Sequence, residues 1–162
     1  MADIFTKKKR SEIMSKISGK ETKPEILVRK ILFSKGFRYR KNVNKLPGSP
    51  DIVLTKYKAV IFINGCFWHG HKNCNKATLP KTNYNFWKNK IEGNIQRDKR
   101  NYEQLKKLGW NIIIIWQCEL NNREKIEKNI DKLISILKNN ETLTKNIVHL
   151  GGRAKYERYR IK

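Results

Sequence analysis

"LPGSPDIVLTKYKAVIFINGCFWHGHKNC", residues 46–74, holds two short β-branched runs separated by a turn and ends in a loop where two cysteines and two histidines surround a Phe-Trp pair. "LPGSP" is a turn cluster. "DIVL" and "AVIFI", separated by "TKYK", read as the strands of a largely buried hairpin. The Cys/His loop follows the second strand directly, and it fits a metal clip, a catalytic loop or a wedge for probing DNA.

The flanking segments set the fold class. Upstream, "ETKPEILVRKILFSKGF" predicts a helix, with Thr22 as N-cap, Pro24 in the first turn, Leu27/Ile31 and Val28/Leu32 at i,i+4, and Gly36 as the stop. Downstream, Trp87, Ile91, Ile95, Tyr102 and Leu105 keep helical spacing across residues 82–108, ended by Gly109. Asp98 falls on that stripe; pairing with Arg97 or Arg100 is preferred over a place facing the site. "WNIIIIWQC" is apolar without alternation, the pattern of a central strand covered on both faces. "NNREKIEKNIDKLISILKNN" is an amphipathic helix. The order helix, hairpin, helix, strand, helix gives an α/β domain with a central mixed sheet flanked by helices. It spans residues 20–140, between a basic arm (1–19), expected to order on binding, and a basic, flexible tail (141–162).

At 162 residues the chain fits one domain with a real core. Thirty-seven Lys and Arg against 14 Asp and Glu leave a net charge of +23, so the expected partner is a polyanion. No apolar run approaches the roughly 18 residues of a membrane span, and the first ten residues have no apolar core after their charges. A soluble, intracellular protein is expected. Three cysteines cannot close a disulfide framework, and clustered Cys and His in a reducing compartment point to metal.

Cys66, His71 and Cys74 give Cys-x4-His-x2-Cys, and Cys118 ends the third strand, where parallel packing beside the second would bring it to the loop. Four N/S ligands are what structural zinc takes. Taken singly, Cys118 fits a small core residue equally well. With His71 spent on metal, His69 fits either a core or surface histidine without a role or a free acid or base. Asp51 fits either a Pro-Asp turn or a magnesium ligand at a strand edge. Glu25 fits either a capping box with Thr22 or a site carboxylate.

Together, "LPGSPDIVL", "VIFINGCFWHGH", "FWKNKIEGNIQRDKR" and "LGWNIIIIWQCEL" resemble the very short patch repair DNA mismatch endonuclease family over residues 11–137. The resemblance implies a restriction-endonuclease-like fold, a variant of the PD-(D/E)XK nucleases, and nicking 5′ of the mismatched T at T·G mismatches left by deamination of 5-methylcytosine. It implies that Asp51 and the Ile63 carbonyl hold catalytic Mg²⁺, that His69 activates or orients water, and that Glu25 binds metal waters. Cys66, His71, Cys74 and Cys118 match structural Zn²⁺ ligands. Phe67, Trp68 and Trp87 match aromatics inserted at the mismatch, and Met14 a residue entering from the minor groove. Asn64 stands where the family often has histidine; it hydrogen-bonds phosphate or water but carries no proton at neutral pH.

The implied partners are double-stranded DNA with a T·G mismatch, a functionally linked cytosine-5 methyltransferase and other mismatch-repair proteins. A monomer is expected, cytoplasmic and nucleoid-associated, in a bacterium or encoded by a phage. The alternatives are a restriction or phage-defence nuclease of the same fold reading another site, and a zinc-stabilised DNA-binding module without catalysis.

Overall fold

The computed structural model describes residues 6–16, 19, 21–139 and 147–151. The remainder of the arm and tail lies outside the described residues. Helix α1 (Lys7–Ser15) begins at Thr6, whose hydroxyl oxygen accepts the Lys9 N–H at 3.2 Å. This part of the expected arm is therefore already helical. Helix α2 (Lys23–Ser34) starts after Thr22 and turns Val28 and Leu32 inward, both fully buried.

Strand β1 (Arg40–Lys41) is a two-residue edge. The hairpin follows: β2 (Ile52–Leu54) and β3 (Ala59–Asn64) run antiparallel, with Ile52 opposite Ile61 and Leu54 opposite Ala59. Helix α3 (Tyr84–Lys107) leads to β4 (Asn111–Trp116), which pairs parallel with β3 so that Asn64 lies opposite Trp116. Helix α4 (Arg123–Lys138) leads to β5 (Ile147–His149), parallel to β4. The sheet is mixed, in the order β1-β2-β3-β4-β5.

All six residues of β4 are buried, which is why its sequence shows no polar alternation. Period two still sorts its side chains. Ile113 and Ile115 join Val28 and Leu32 of α2 and Ile130, Leu133 and Leu137 of α4 on one face. Ile112, Ile114 and Trp116 join Tyr102 and Leu105 of α3 on the other. Full burial of each isoleucine is worth about 1.5–3 kcal/mol.

The tail boundary at residue 141 needs correction, because 147–149 form a strand. β4 would otherwise be an edge with open N–H and C=O groups, and Ile147, Val148 and His149 pair along it. Leu150, 2% exposed, then anchors in the α2/α4 core.

The two strands that end at Asn64 and Trp116 point the same way and finish side by side. The loop after β3 and the turn after β4 therefore meet at one end of the sheet, and the candidate chemistry gathers there.

Candidate catalytic and metal sites

Asp51 enters β2 with its Oδ2 accepting the backbone N–H of Ile63 at 2.7 Å, so the carboxylate is pinned to the end of the neighbouring strand. Burial pushes its pKa up to about 6; the nearby Glu25 carboxylate adds to this, while the Ile63 N–H, Arg29 and His69 oppose it. A buried carboxylate with a second beside it is an environment that favours a cation. Glu25 is itself buried and heavily tied: it accepts from the Thr22 hydroxyl at 2.8 Å, from the Glu21 N–H at 3.1 Å and from Arg29 Nη2 at 3.1 Å. The same Arg29 nitrogen donates to the Asp51 carbonyl at 3.3 Å. Glu25 thus helps anchor the helix start, as a capping residue would, while linking α2 to the strand carrying Asp51.

The loop after β3 is seated on α3. His69 Nδ1 and Asp98 Oδ2 are 2.6 Å apart, with side chains 28% and 16% exposed. The expected pairing of Asp98 with Arg97 or Arg100 is corrected here. Neighbours on a helix do not face each other, and Arg97 instead donates to Asn94 Oδ1 at 3.2 Å. So oriented, Asn94 Nδ2 donates to the Trp68 carbonyl at 3.0 Å. Gly70, at φ +61°, sits so close to Ile95 and Ile91 that a Cβ would meet Ile95 Cδ1 at 2.6 Å. One face of α3 therefore fixes Trp68, His69 and Gly70 in succession. Asn64 is buried and donates to the Tyr102 hydroxyl at 3.2 Å.

Cys66, His71, Cys74 and Cys118 converge as expected, their ligand atoms all within 4.8 Å of one another. The His71 Nδ1 to Cys118 Sγ distance of 3.4 Å is close to the roughly 3.6 Å edge of a tetrahedron built from zinc–ligand bond lengths. Burial, then His149, lowers the His71 pKa, favouring the neutral imidazole a metal needs. Burial pushes Cys118 up to about 12, and the Cys66 and Cys74 thiols add to it. Three thiols this close cannot ionise together without a cation. The donor set fits zinc.

The aromatics also gather. Phe67 lies 5.2 Å from Trp68 and 5.4 Å from Trp87, ring centre to ring centre, and Trp68 lies 6.0 Å from Trp87. Met14 is exposed on α1, in another element.

Comparison with known proteins gives the family of the chain. The family model described as DNA mismatch endonuclease Vsr matches residues 2–76. The type II nicking enzyme V.NmeAIP of Neisseria meningitidis is 53% identical over 138 residues, covering 85% of this chain and 98% of that protein.

The chain belongs to the Vsr endonuclease family.

Two further relatives extend the comparison. The type II nicking enzyme V.XorIIP of Xanthomonas oryzae is 39% identical, covering 83% of this chain and 98% of that protein. The DNA mismatch endonuclease Vsr of Escherichia coli is 40% identical, covering 78% and 80%. Membership makes the chain a DNA endonuclease, a hydrolase that nicks DNA. The mixed sheet with helices on both faces is the fold of a Vsr nuclease.

Against this Vsr frame, sequence reasoning missed three residues: Asp98 as the partner of His69, Asn94 as the prop under Trp68, and Phe86. Phe86 is 61% exposed and 5.2 Å from Trp87, extending the aromatic cluster. Its signal was the adjacent Phe-Trp pair, which repeats the pair in the loop. Among the described residues no helix is long and apolar enough to cross a membrane.

Proposed function

We propose that this Vsr-family endonuclease is a Mg²⁺-dependent nickase acting on one strand of a T·G mismatch, cutting 5′ of the mismatched T, in very short patch repair of deaminated 5-methylcytosine. The observation that carries the reading is adjacency: the part-buried Asp51–Ile63 pair, the His69–Asp98 pair and the Phe67–Trp68–Trp87 cluster are joined through the loop that follows β3 and is seated on α3.

Asp51 and the Ile63 carbonyl would hold Mg²⁺, and Glu25 lies close enough to raise the Asp51 pKa, the placement expected of a group binding the metal's waters. When bound, the ion neutralises charge building on the scissile phosphate and supplies an activated water. His69 accepts the proton of the attacking water. Asp98 at Nδ1 fixes the tautomer, leaving Nε2 as the free acceptor, and stabilises the imidazolium that results. Asn64 offers an amide to a phosphate or water near the same strand end. Cys66, His71, Cys74 and Cys118 would hold Zn²⁺ in a closed site with no open position, so zinc shapes the loop and does no chemistry.

Phe67, Trp68 and Trp87, extended by Phe86, enter beside the mismatch, with Met14 approaching from the opposite groove. Wedging apart a base step costs least where pairing is already weak, so a mismatch is selected partly by its low cost of deformation. The net charge of +23 supplies the general attraction to phosphates. The chain acts as a monomer in the bacterial or phage-infected cytoplasm, at the nucleoid, beside a cytosine-5 methyltransferase and other mismatch-repair proteins.

A panel of duplexes tests the reading. Each carries T·G, T·A, C·A or no mismatch in randomised flanks, and is incubated with the protein and Mg²⁺ and resolved on a denaturing gel. One nick 5′ of the T, confined to T·G duplexes, is expected. Equal cutting of T·A duplexes at a fixed sequence would instead establish a restriction-type nickase.

A further inference from the structure

The metal cluster rests on a ring to which no role has been given. Trp116, the last residue of β4, lies flat on His71 with ring centres 4.0 Å apart and planes within 2°. The indole is fixed in turn by β5: Trp116 Nε1 donates to His149 Nδ1 at 3.3 Å, and the two rings are nearly parallel. The Trp116 backbone is fixed as well, its N–H donating to Glu119 Oε2 at 3.0 Å. Glu119 packs so tightly on Gly151 that a Cβ there would overlap its carboxylate.

The segment that supplies His149 and Gly151 is held from several directions. Leu150 is buried in the core, its N–H donates to the Ile114 carbonyl at 3.2 Å, and its own carbonyl accepts from Lys132 Nζ at 2.6 Å. Side chain and backbone of Trp116 are thus both referred to residues 147–151, and the indole presents a flat face to His71.

We propose that residues 147–151 are a positioning element for the metal-binding loop, acting through Trp116 on His71. A ligand imidazole holds a metal only while its ring plane is fixed, and groups that fix it typically change metal affinity by about 10–100-fold. Here an indole stacked on the ring does that work. Trp116 and His149 touch neither metal nor DNA in this account; they act by holding His71. The inference rests on reading Cys66, His71, Cys74 and Cys118 as a zinc site.

The test uses the full chain. Zinc content of the wild-type protein is measured first, and one equivalent is expected. Zinc release is then followed with a colorimetric chelator well below the melting temperature, beside circular dichroism and nicking. His149→Leu and Trp116→Leu should release zinc about ten-fold faster or more. His149→Asn, whose Oδ1 can accept the indole N–H where Nδ1 does, should restore most of the wild-type rate. Trp116→Phe keeps the stacked face and loses the donor, so it should fall between. Gly151→Ala should resemble His149→Leu, because Glu119 must move off the Trp116 N–H.

Leu variants that melt earlier but release zinc at the wild-type rate would overturn the inference, as would His149→Asn behaving like His149→Leu. If a Leu variant does not fold, the conservative His149→Asn and Trp116→Phe pair carries the comparison alone: equal release from both would contradict it. Wild-type protein holding no zinc is seen before any variant is made, and it removes the zinc reading together with this inference.

Discussion

The two ends of residues 51–74 face the same electrostatic problem with different ligand atoms. At Asp51 a part-buried carboxylate lies beside the buried Glu25 and Arg29, and the Asp51 carboxyl is pushed up to about 6. At Cys66 three thiols and an imidazole crowd one point, and Cys118 is pushed up to about 12. Both ends call for a cation, but with different permanence. The first offers one carboxylate and backbone atoms, a set that leaves most of a hard cation's positions to water and substrate. The second closes all four positions of a soft one. On the proposed reading, one cation serves exchange and chemistry and the other serves shape.

Removing each cation separately is the strongest way to break that comparison. Omitting Mg²⁺ from zinc-loaded protein should abolish nicking while leaving the melting temperature within a few degrees. Cys66→Ser should lose both activity and fold, because zinc binding of this kind is part of the folding free energy. If Cys66→Ser nicks normally, the two ends are not distinct in the way described.

The next effect belongs to the His69–Asp98 pair. His69→Ala should slow single-turnover nicking by about 10²–10⁴-fold, the usual worth of a positioned base. Asp98→Asn, which keeps the shape and loses the charge, should cost less. An unchanged Asp98→Asn rate would return that carboxylate to a structural role. Trp87→Ala should mainly reduce the preference for mismatched over matched duplex, by about ten-fold if one stacking contact of about 1–3 kcal/mol is lost. Competition binding checks it.

The smallest effect is on stability. Burial raises Asp51, so the folded protein holds that proton more tightly than the unfolded chain does. The resulting stabilisation is complete below 3.8 and lost as pH climbs through about 6. At pH 8 without Mg²⁺ the ionised group is a cost, and Asp51→Asn should raise stability in urea by about 1–3 kcal/mol. The gain should shrink as pH is lowered toward 4. No gain at pH 8 would mean the carboxylate is already compensated within the protein.

Much of this was legible in the chain because each signal was local. The i,i+4 pairs of α2, the apolar run of β4 and the turn at 46–50 each specify their element without distant help. The Cys/His cluster was legible because three of its four residues lie within nine positions and the parallel pairing of β3 with β4 delivers the fourth. What was missed depends on contacts made only after folding. Asp98 sits between Arg97 and Arg100 in sequence, yet its partner comes from 29 residues away. β5 has three residues and no period to read; Leu150, Lys132 and Glu119 hold it in place.

The measurement that bears most directly on the central claim is single-turnover nicking of a T·G duplex, with its T·A control, by wild-type protein and Asp51→Ala side by side at saturating protein and Mg²⁺. The account predicts one nick 5′ of the mismatched T from the wild type. It predicts nicking by Asp51→Ala at a rate at least about 10³-fold lower, the scale of losing a metal-assisted step, with duplex binding retained. A variant that nicks at the wild-type rate would contradict the assignment of the β2–β3 end as the catalytic centre.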